Sequence, residues 1–326
     1  MKDVDIIQEV KEDLTQKFGE GSAVTLGQEQ YVLSNVPGFI STQSTGIDYA
    51  IGRKGIPLGR ITEIYGWEAT AKTLLGIQIL RECQRLGGIA IAIDSEMTLN
   101  KYWLKQLGLN IDKRLLIMQP ETLEETLEMI AETIRKVKSL RKDIPVVILW
   151  DSLPASRPKI EITGEYGDGG LGLQARMMSQ SLPKLVGLLS KEKVALVIIN
   201  QYREKIGVMF GSKNTTPGGR ALGFYASLRI ELTAYKKIER DGKIIGMQGR
   251  AVIKKNKLAT PFGEATYNLY FDRGIDNVSS YLPIAIELGM VKKVGGWYSI
   301  GDNKFRKGEA EKYLGDVEKQ IRERLK

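Results

Sequence analysis

Five short stretches dominated by Val, Ile and Leu punctuate the chain: ITEIY from Ile61, IAIAID from Ile89, LLIM from Leu115, PVVILWD from Pro145 and VALVIIN from Val194. They lack the apolar–polar alternation of a strand with one wet face, so each reads as a strand covered on both sides. Helical patterns lie between them. The clearest sets Leu123, Leu127, Ile130, Ile134 and Val137 at steps of four, three, four and three, and Thr122 with Glu125 predicts a capping box at its start. Strands alternating with helices predict an α/β fold with a doubly wound, mostly parallel central sheet that binds ligands at the carboxyl ends of its strands.

Beyond Asn200 the pattern changes. ASLRIEL from Ala226, RAVIKKNKL from Arg250 and ATYNLYF from Ala265 predict a meander added to that sheet. From about residue 276 the chain is helical again, with a β-like patch around GGWYSI, which predicts a small α+β C-terminal lobe. The first residues form an amphipathic helix with Ile6, Ile7, Val10 and Leu14 in its stripe, followed by a connector. A lone helix needs a surface to pack on, in its own core or on a neighbouring subunit. The expected division is therefore 1–33, 34–275 and 276–326.

With 326 residues the chain can bury a large core. It has no histidine and one cysteine, Cys83, which excludes a disulfide framework, Cys/His zinc sites and histidine-based triads. Chemistry must come from carboxylates, Lys, Arg or a bound cation. The N-terminus has no apolar leader and no later stretch reaches the roughly 20 apolar residues of a bilayer span, so a soluble cytoplasmic protein is expected. A net charge of +9 fits an anionic partner such as nucleic acid, and equally fits a basic surface that binds nothing.

The strand ITEIY runs into GWEATAKT, residues 66 to 73, and then into the helical pattern TLLGIQILRECQRL. That is the strand–loop–helix setting of a phosphate-binding P-loop, GxxxxGK[ST], with Ala71 where the pattern has glycine. Backbone N–H groups from Gly66, Trp67, Glu68, Ala69, Thr70 and Ala71 would cradle phosphates, Lys72 would reach the terminal phosphates, and the Thr73 hydroxyl, ahead of Leu74, would ligate Mg²⁺. A left-handed backbone at Ala71 would cost on the order of 1 kcal/mol. By itself the altered motif is open between a site and a coincidence. Asp151 ends one apolar strand, as a metal-holding carboxylate or as a cap. Glu96 lies just past another strand end, where a carboxylate could deprotonate an attacking water. Gln201 ends a third, as a neutral sensor of the terminal phosphate. Four polar groups at the ends of four parallel strands converge in such an architecture.

ARMMSQ at Ala175, INQYREKIGVMFG at Ile199, PGGRALGFYAS at Pro217 and KKNKLATPF at Lys254 closely resemble the bacterial RecA recombinases, and STGIDYAIG, IPLGRITEIYG, DSEMTLN and GGWYS occur in the matching order. The resemblance covers nearly the whole chain and implies a RecA-type P-loop core. It implies a Walker A loop at Gly66 to Thr73, Walker B at Asp151, a catalytic carboxylate at Glu96 and a sensor at Gln201. Asn100, Trp103 and Phe271 fall where the family contacts the base, although it favours Asp and Tyr there. Lys255 and Lys257 match lysines that reach ATP across a subunit interface. Two Gly-rich loops, 157 to 172 and 202 to 219, match its DNA-binding loops; without the resemblance they read as solvated loops. In them and beside them Arg176, Arg203, Lys205 and Arg220 would neutralise phosphates, Leu171 and Ile206 would wedge between bases, and Ser179, Gly218 and Gly219 complete the DNA set. Met177 and Met178 read instead as core residues, and Pro183 should bend their helix. Departures from the family are Ala71 for glycine, Trp67 for proline and Met97 for histidine. The chain ends at QIRERLK without a long acidic tail, so less electrostatic opposition to duplex DNA is expected.

The function so implied is an ATP- and Mg²⁺-dependent recombinase. It would polymerise as a helical filament on single-stranded DNA and exchange strands with homologous double-stranded DNA; a repressor undergoing self-cleavage is a further partner within the family's range. The alternative is a mediator whose altered P-loop binds ATP and hydrolyses it weakly. A helicase on the same core is opposed by the closeness of the loop match.

Overall fold

All five apolar runs are strands, and the computed structural model, which describes residues 6–19, 22–23, 36–164, 172–204 and 214–325, joins them into one parallel group. β1 (Ile61–Gly66), β2 (Ile89–Asp94), β3 (Leu115–Met118), β4 (Val146–Asp151) and β5 (Val194–Gln201) lie in the order β1-β5-β4-β2-β3, every neighbouring pair parallel. Residues of β2 show why alternation is missing: Ala90 and Ala92 belong to the apolar cluster on one face and Ile91 and Ile93 to that on the other. Both faces are dry, so both sets are apolar.

The helices are α1 (Ile6–Phe18), α2 (Thr45–Ile51), α3 (Lys72–Arg85), α4 (Lys101–Gln106), α5 (Leu123–Leu140), α6 (Leu173–Glu192), α7 (Gly219–Tyr225), α8 (Asn277–Glu287) and α9 (Gly315–Glu323), with a short helix at Lys159–Thr163. α3 covers one face of the sheet, α5 and α6 the other. A methyl group at Gly76 would come within 2.5 Å of Leu149 Cδ1, so glycine is what lets α3 seat on β4. The predicted stripe of α5 packs inward as expected, with Leu123, Ile130 and Ile134 fully buried. Its cap is half of a capping box: Thr122 Oγ1 accepts from Glu125 N–H at 3.1 Å, but the Glu125 carboxylate turns to Glu121 N–H at 2.9 Å. Met178 is buried in the cluster under α6, Met177 packs against it, and Pro183 sits inside that helix.

The meander is present and longer than the sequence suggested. β6 (Leu228–Arg240) runs parallel to β1, and β7 (Lys243–Asn256), β8 (Glu264–Tyr270) and β9 (Gly274–Asp276) follow antiparallel, giving a nine-stranded sheet. The outer halves of β6 and β7 form an exposed polar ribbon turning at Asp241 and Gly242, both left-handed, which is the two-residue turn an Asp-Gly pair favours. Its side chains bury little, so no hydrophobic pattern announced it.

From Asn277 onward the chain builds a third apolar cluster around Tyr281, Phe305, Leu314 and Ile321, with a three-stranded sheet at Lys292–Val294, Trp297–Ile300 and Asn303–Phe305. Polar bonds tie it to α2: Thr45 Oγ1 donates to Glu318 at 2.8 Å, and Arg322 pairs with the buried Asp48 at 3.3 Å. α1 buries none of its residues, and Ile6, Ile7, Val10 and Phe18 are more than half exposed. No helix among the described residues is long and apolar enough to cross a membrane.

Candidate functional site

β1 ends at Gly66, where a Cβ would lie 2.2 Å from the Leu232 carbonyl oxygen of β6; close strand packing demands glycine there. The loop that follows folds on itself. Thr70 Oγ1 donates to the Trp67 carbonyl at 2.8 Å, Lys72 Nζ donates to the same oxygen at 2.6 Å, and the Tyr267 hydroxyl donates to the Thr70 carbonyl at 3.4 Å. Ala71 has φ 71° and ψ 20°, the left-handed conformation for which the P-loop pattern uses glycine. The loop shape is kept at a strain of about 1 kcal/mol. Ala69, at φ 55°, is left-handed too, which nothing in the sequence signalled.

The register of β2 against β4 sets Asp94 beside Asp151. Asp94 accepts from the N–H groups of Thr98 at 2.9 Å and Leu99 at 3.1 Å, closing the turn that carries Glu96. Glu96 Oε1 in turn accepts from Ser152 Oγ at 2.5 Å and from Gln201 Nε2 at 3.4 Å. Two residues picked from separate strand ends therefore meet, and Ser152 joins them; Asp94 and Ser152 were not anticipated. Asp151 is buried, and burial pushes its carboxyl up to about 6; Thr73 and Lys72 oppose the shift, while Glu96 and Asp94 reinforce it. Its Oδ2 has no hydrogen-bond partner among the described residues. Burial likewise pushes the Lys72 ammonium down, against the pull of Asp151, Glu96 and Glu68.

An unpartnered buried carboxylate oxygen near a threonine hydroxyl suits a hard cation such as Mg²⁺, which takes oxygen ligands and keeps water or phosphate on its other positions. Among the described residues no group of three or more Asp, Glu, Cys or His could hold a metal. A cation here would need phosphate oxygens to complete its shell.

These groups line one cavity of about 460 Å³: Lys72, Thr73, Glu96, Asp151 and Gln201 bring polar groups, and Trp103, Phe271, Ile199, Met247 and Leu269 supply apolar surface. The last three are new; they sit in strands where their sequence reads only as core. Asn100 is not in the lining. Its Oδ1 caps α4, accepting from Tyr102 N–H at 2.8 Å and Trp103 N–H at 3.4 Å, so it fixes the helix that presents Trp103. Lys255 and Lys257 lie outside the cavity. Lys255 Nζ donates to the carbonyls of Gly223 and Phe224, both at 2.7 Å, and Lys257 Nζ to that of Phe224 at 3.3 Å. Burial, with Lys257 and Arg229 nearby, pushes Lys255 down to about 8.

The residues expected to meet nucleic acid fall into two groups. Leu171, Lys205 and Ile206 lie outside the described residues. Arg176 and Ser179 are exposed on α6, Arg220 is exposed on α7, and Arg203 is exposed in a two-residue ladder with Thr215 that closes the base of the second loop. Gly218 and Gly219 are left-handed, and a methyl at Gly219 would lie 2.9 Å from Ala175 Cβ, so α7 starts against α6 one residue from Arg176. Arg176, Arg203 and Arg220 form no salt bridge among the described residues.

A phosphate loop opening a helix, flanked by carboxylates at the ends of adjacent parallel strands and by apolar side chains lining the same cavity, defines a P-loop nucleoside triphosphatase. Comparison with known proteins narrows the class. The RecA N-terminal domain family matches residues 5–276. The chain is 42% identical to Protein RecA of Symbiobacterium thermophilum over 323 residues (96% of this chain and 90% of that protein). It is 42% identical to that of Caldanaerobacter subterraneus subsp. tengcongensis over 95% of this chain and 90% of the relative, and 41% identical to that of Clostridioides difficile over 93% and 85%. The chain belongs to the RecA family, the ATP-dependent recombinases of DNA recombination and repair, whose members are DNA-dependent P-loop ATPases.

Proposed function

We propose that the chain assembles as a helical filament on single-stranded DNA, pairs it with homologous duplex and exchanges strands, with ATP held between consecutive protomers. The observation that carries the hydrolytic part is the contact of Glu96 with Gln201 in the same cavity as Lys72 and Asp151. Glu96 would take a proton from the attacking water, Gln201 would report the terminal phosphate to the second loop, and Lys72 would neutralise phosphate charge. Asp151 and Thr73 would hold magnesium, which supplies charge stabilisation at the phosphates when bound. Trp103 and Phe271 offer faces for the base.

Support for a polymer comes from surfaces that a single protomer leaves uncovered. α1 exposes its whole apolar stripe, and the edge strand β3 exposes Leu116 and Ile117. A helix of one protomer docking on the next makes a heterologous contact that grows open-ended. Lys255 and Lys257, outside their own protomer's cavity, suit a role toward the neighbour's phosphates. DNA would lie along α6, α7 and the two loops, gripped by Arg176, Arg203 and Arg220. The mediator reading draws on Ala71 alone. ATP turnover with and without single-stranded DNA, followed by strand exchange, tests the choice. DNA-stimulated turnover abolished by Glu96→Gln is expected; a wild type that binds ATP without stimulated turnover or exchange makes the chain a mediator.

A further inference from the structure

Two strands that flank one another under the phosphate loop each carry a polar side chain inside an apolar run, and the two side chains meet. Glu63 of β1 is fully buried; its Oε1 accepts from Asn200 Nδ2 at 2.9 Å and its Oε2 from Arg229 Nε at 2.5 Å. Asn200 is bonded three ways, since Nδ2 also donates to the Pro217 carbonyl at 3.0 Å and Oδ1 accepts from the N–H of Gln201 at 3.0 Å. The residue on the other side of Gln201 is anchored as well. The Tyr202 hydroxyl donates to Glu231 Oε1 at 2.5 Å, and Glu231 Oε2 pairs with Lys254 at 2.9 Å. The Tyr202 ring lies 5.4 Å from that of Tyr65, edge to face, and 5.5 Å from Trp67 of the phosphate loop. Arg229 covers the Tyr65 ring at 4.7 Å and is the strand partner of Lys255. Burial works against the Arg229 charge, but Glu63 outweighs it and holds the guanidinium above its ordinary value.

A buried carboxylate committed to two donors tolerates few geometries. Any shift of the Gln201 backbone drags Asn200, and with it Pro217, two residues before α7; the Glu63–Arg229 pair carries the same shift to the strand beside Lys255. We infer that Glu63 is a positioning residue for DNA-stimulated ATP turnover, coupling the nucleotide end of β5 to the close of the second DNA loop and to the lysine-bearing face. That role rests on the assignments of Gln201 and the loops proposed above.

Glu63→Gln tests it, because an amide offers one oxygen and one NH₂ to two donors and sets a donor against a donor. Turnover without DNA and the affinity for a slowly hydrolysed ATP analogue should stay within about twofold, while stimulation by single-stranded DNA falls roughly tenfold. Adding Asn200→Asp rebuilds only the bond between the two strands: the amide introduced at 63 donates to the carboxylate introduced at 200 and still accepts from Arg229, but a carboxylate oxygen now faces the Pro217 carbonyl that Asn200 Nδ2 had bonded. The double variant should therefore stay as weakly stimulated as the single, because the tie to Pro217 is cut. Should Glu63→Gln reduce the folded yield, Asn200→Ser severs the same ties while sparing the Glu63–Arg229 pair, and should show the same selective loss. The inference is overturned if stimulation survives in folded Glu63→Gln, if basal and stimulated rates fall together with Tm, or if the folded double variant regains wild-type stimulation with the Pro217 tie cut. A wild type lacking stimulation overturns the proposed function as well, which separates the two failures.

Discussion

Replacing Asp151 with Asn should make the nucleotide-free chain more stable. The residue is 4% exposed and one carboxylate oxygen has no partner among the described residues, so the charged form is held at a cost. Displacement of the carboxyl from 3.8 to about 6 corresponds to about 3 kcal/mol against that form. A folded-state value above the unfolded one means the folded chain binds the proton more tightly. Wild-type stability therefore declines as pH climbs from about 4 to about 6 and stays reduced above that. The Asn variant has no such decline. In divalent-free buffer the two should be close at about pH 4, and the variant should lead by up to about 3 kcal/mol at about pH 7.5, several degrees in Tm. Magnesium with an ATP analogue should then stabilise wild type more than the variant, which keeps the phosphate loop and the apolar lining but has lost the negative charge at the cation. Urea unfolding across that pH range, with and without magnesium, measures both effects. A variant less stable than wild type at neutral pH, or a gap that ignores pH, would refute the reasoning.

At Ala71, glycine relieves about 1 kcal/mol of left-handed strain but adds roughly 0.4–1 kcal/mol of unfolded-state entropy, so Ala71→Gly should shift stability by no more than about 0.6 kcal/mol, read by differential scanning fluorimetry. Because Asn100 caps α4, Asn100→Ala should cost about 1 kcal/mol in denaturant unfolding. It should weaken binding of a fluorescent ATP analogue less than Trp103→Ala does. Arg322→Ala removes the cation beside fully buried Asp48, which keeps its bonds to Ser41 and Thr42, and should cost about 2 kcal/mol in urea unfolding, with Arg322→Lys recovering part of it.

What could be read before folding was whatever a residue does with its own neighbours in the chain. Four of the five continuous apolar runs declared parallel strands buried on both faces; the fifth, β3, is a parallel strand at the sheet edge and leaves Leu116 and Ile117 exposed. The phosphate loop declared itself because its residues fix their own backbone, and even the strain at Ala71 followed from position. Asn100 shows the limit of position without partners: it falls where the family meets the base, yet its oxygen is spent on two N–H groups of the helix it begins. The polar ribbon of β6 and β7 buries too little to leave a pattern, although its Asp-Gly turn was there to be used. Glu63 and Asn200 mark a different boundary. Each breaks an apolar strand, and a polar group buried without a partner costs roughly 1–3 kcal/mol, so the sequence alone demands that each be satisfied. It does not say by what, because the partners lie 137 and 166 residues apart along the chain. A polar residue inside a run that is buried on both faces is therefore a question put by the sequence whose answer only the sheet order supplies: β5 and β6 both flank β1, and that adjacency turns two separate interruptions into one network.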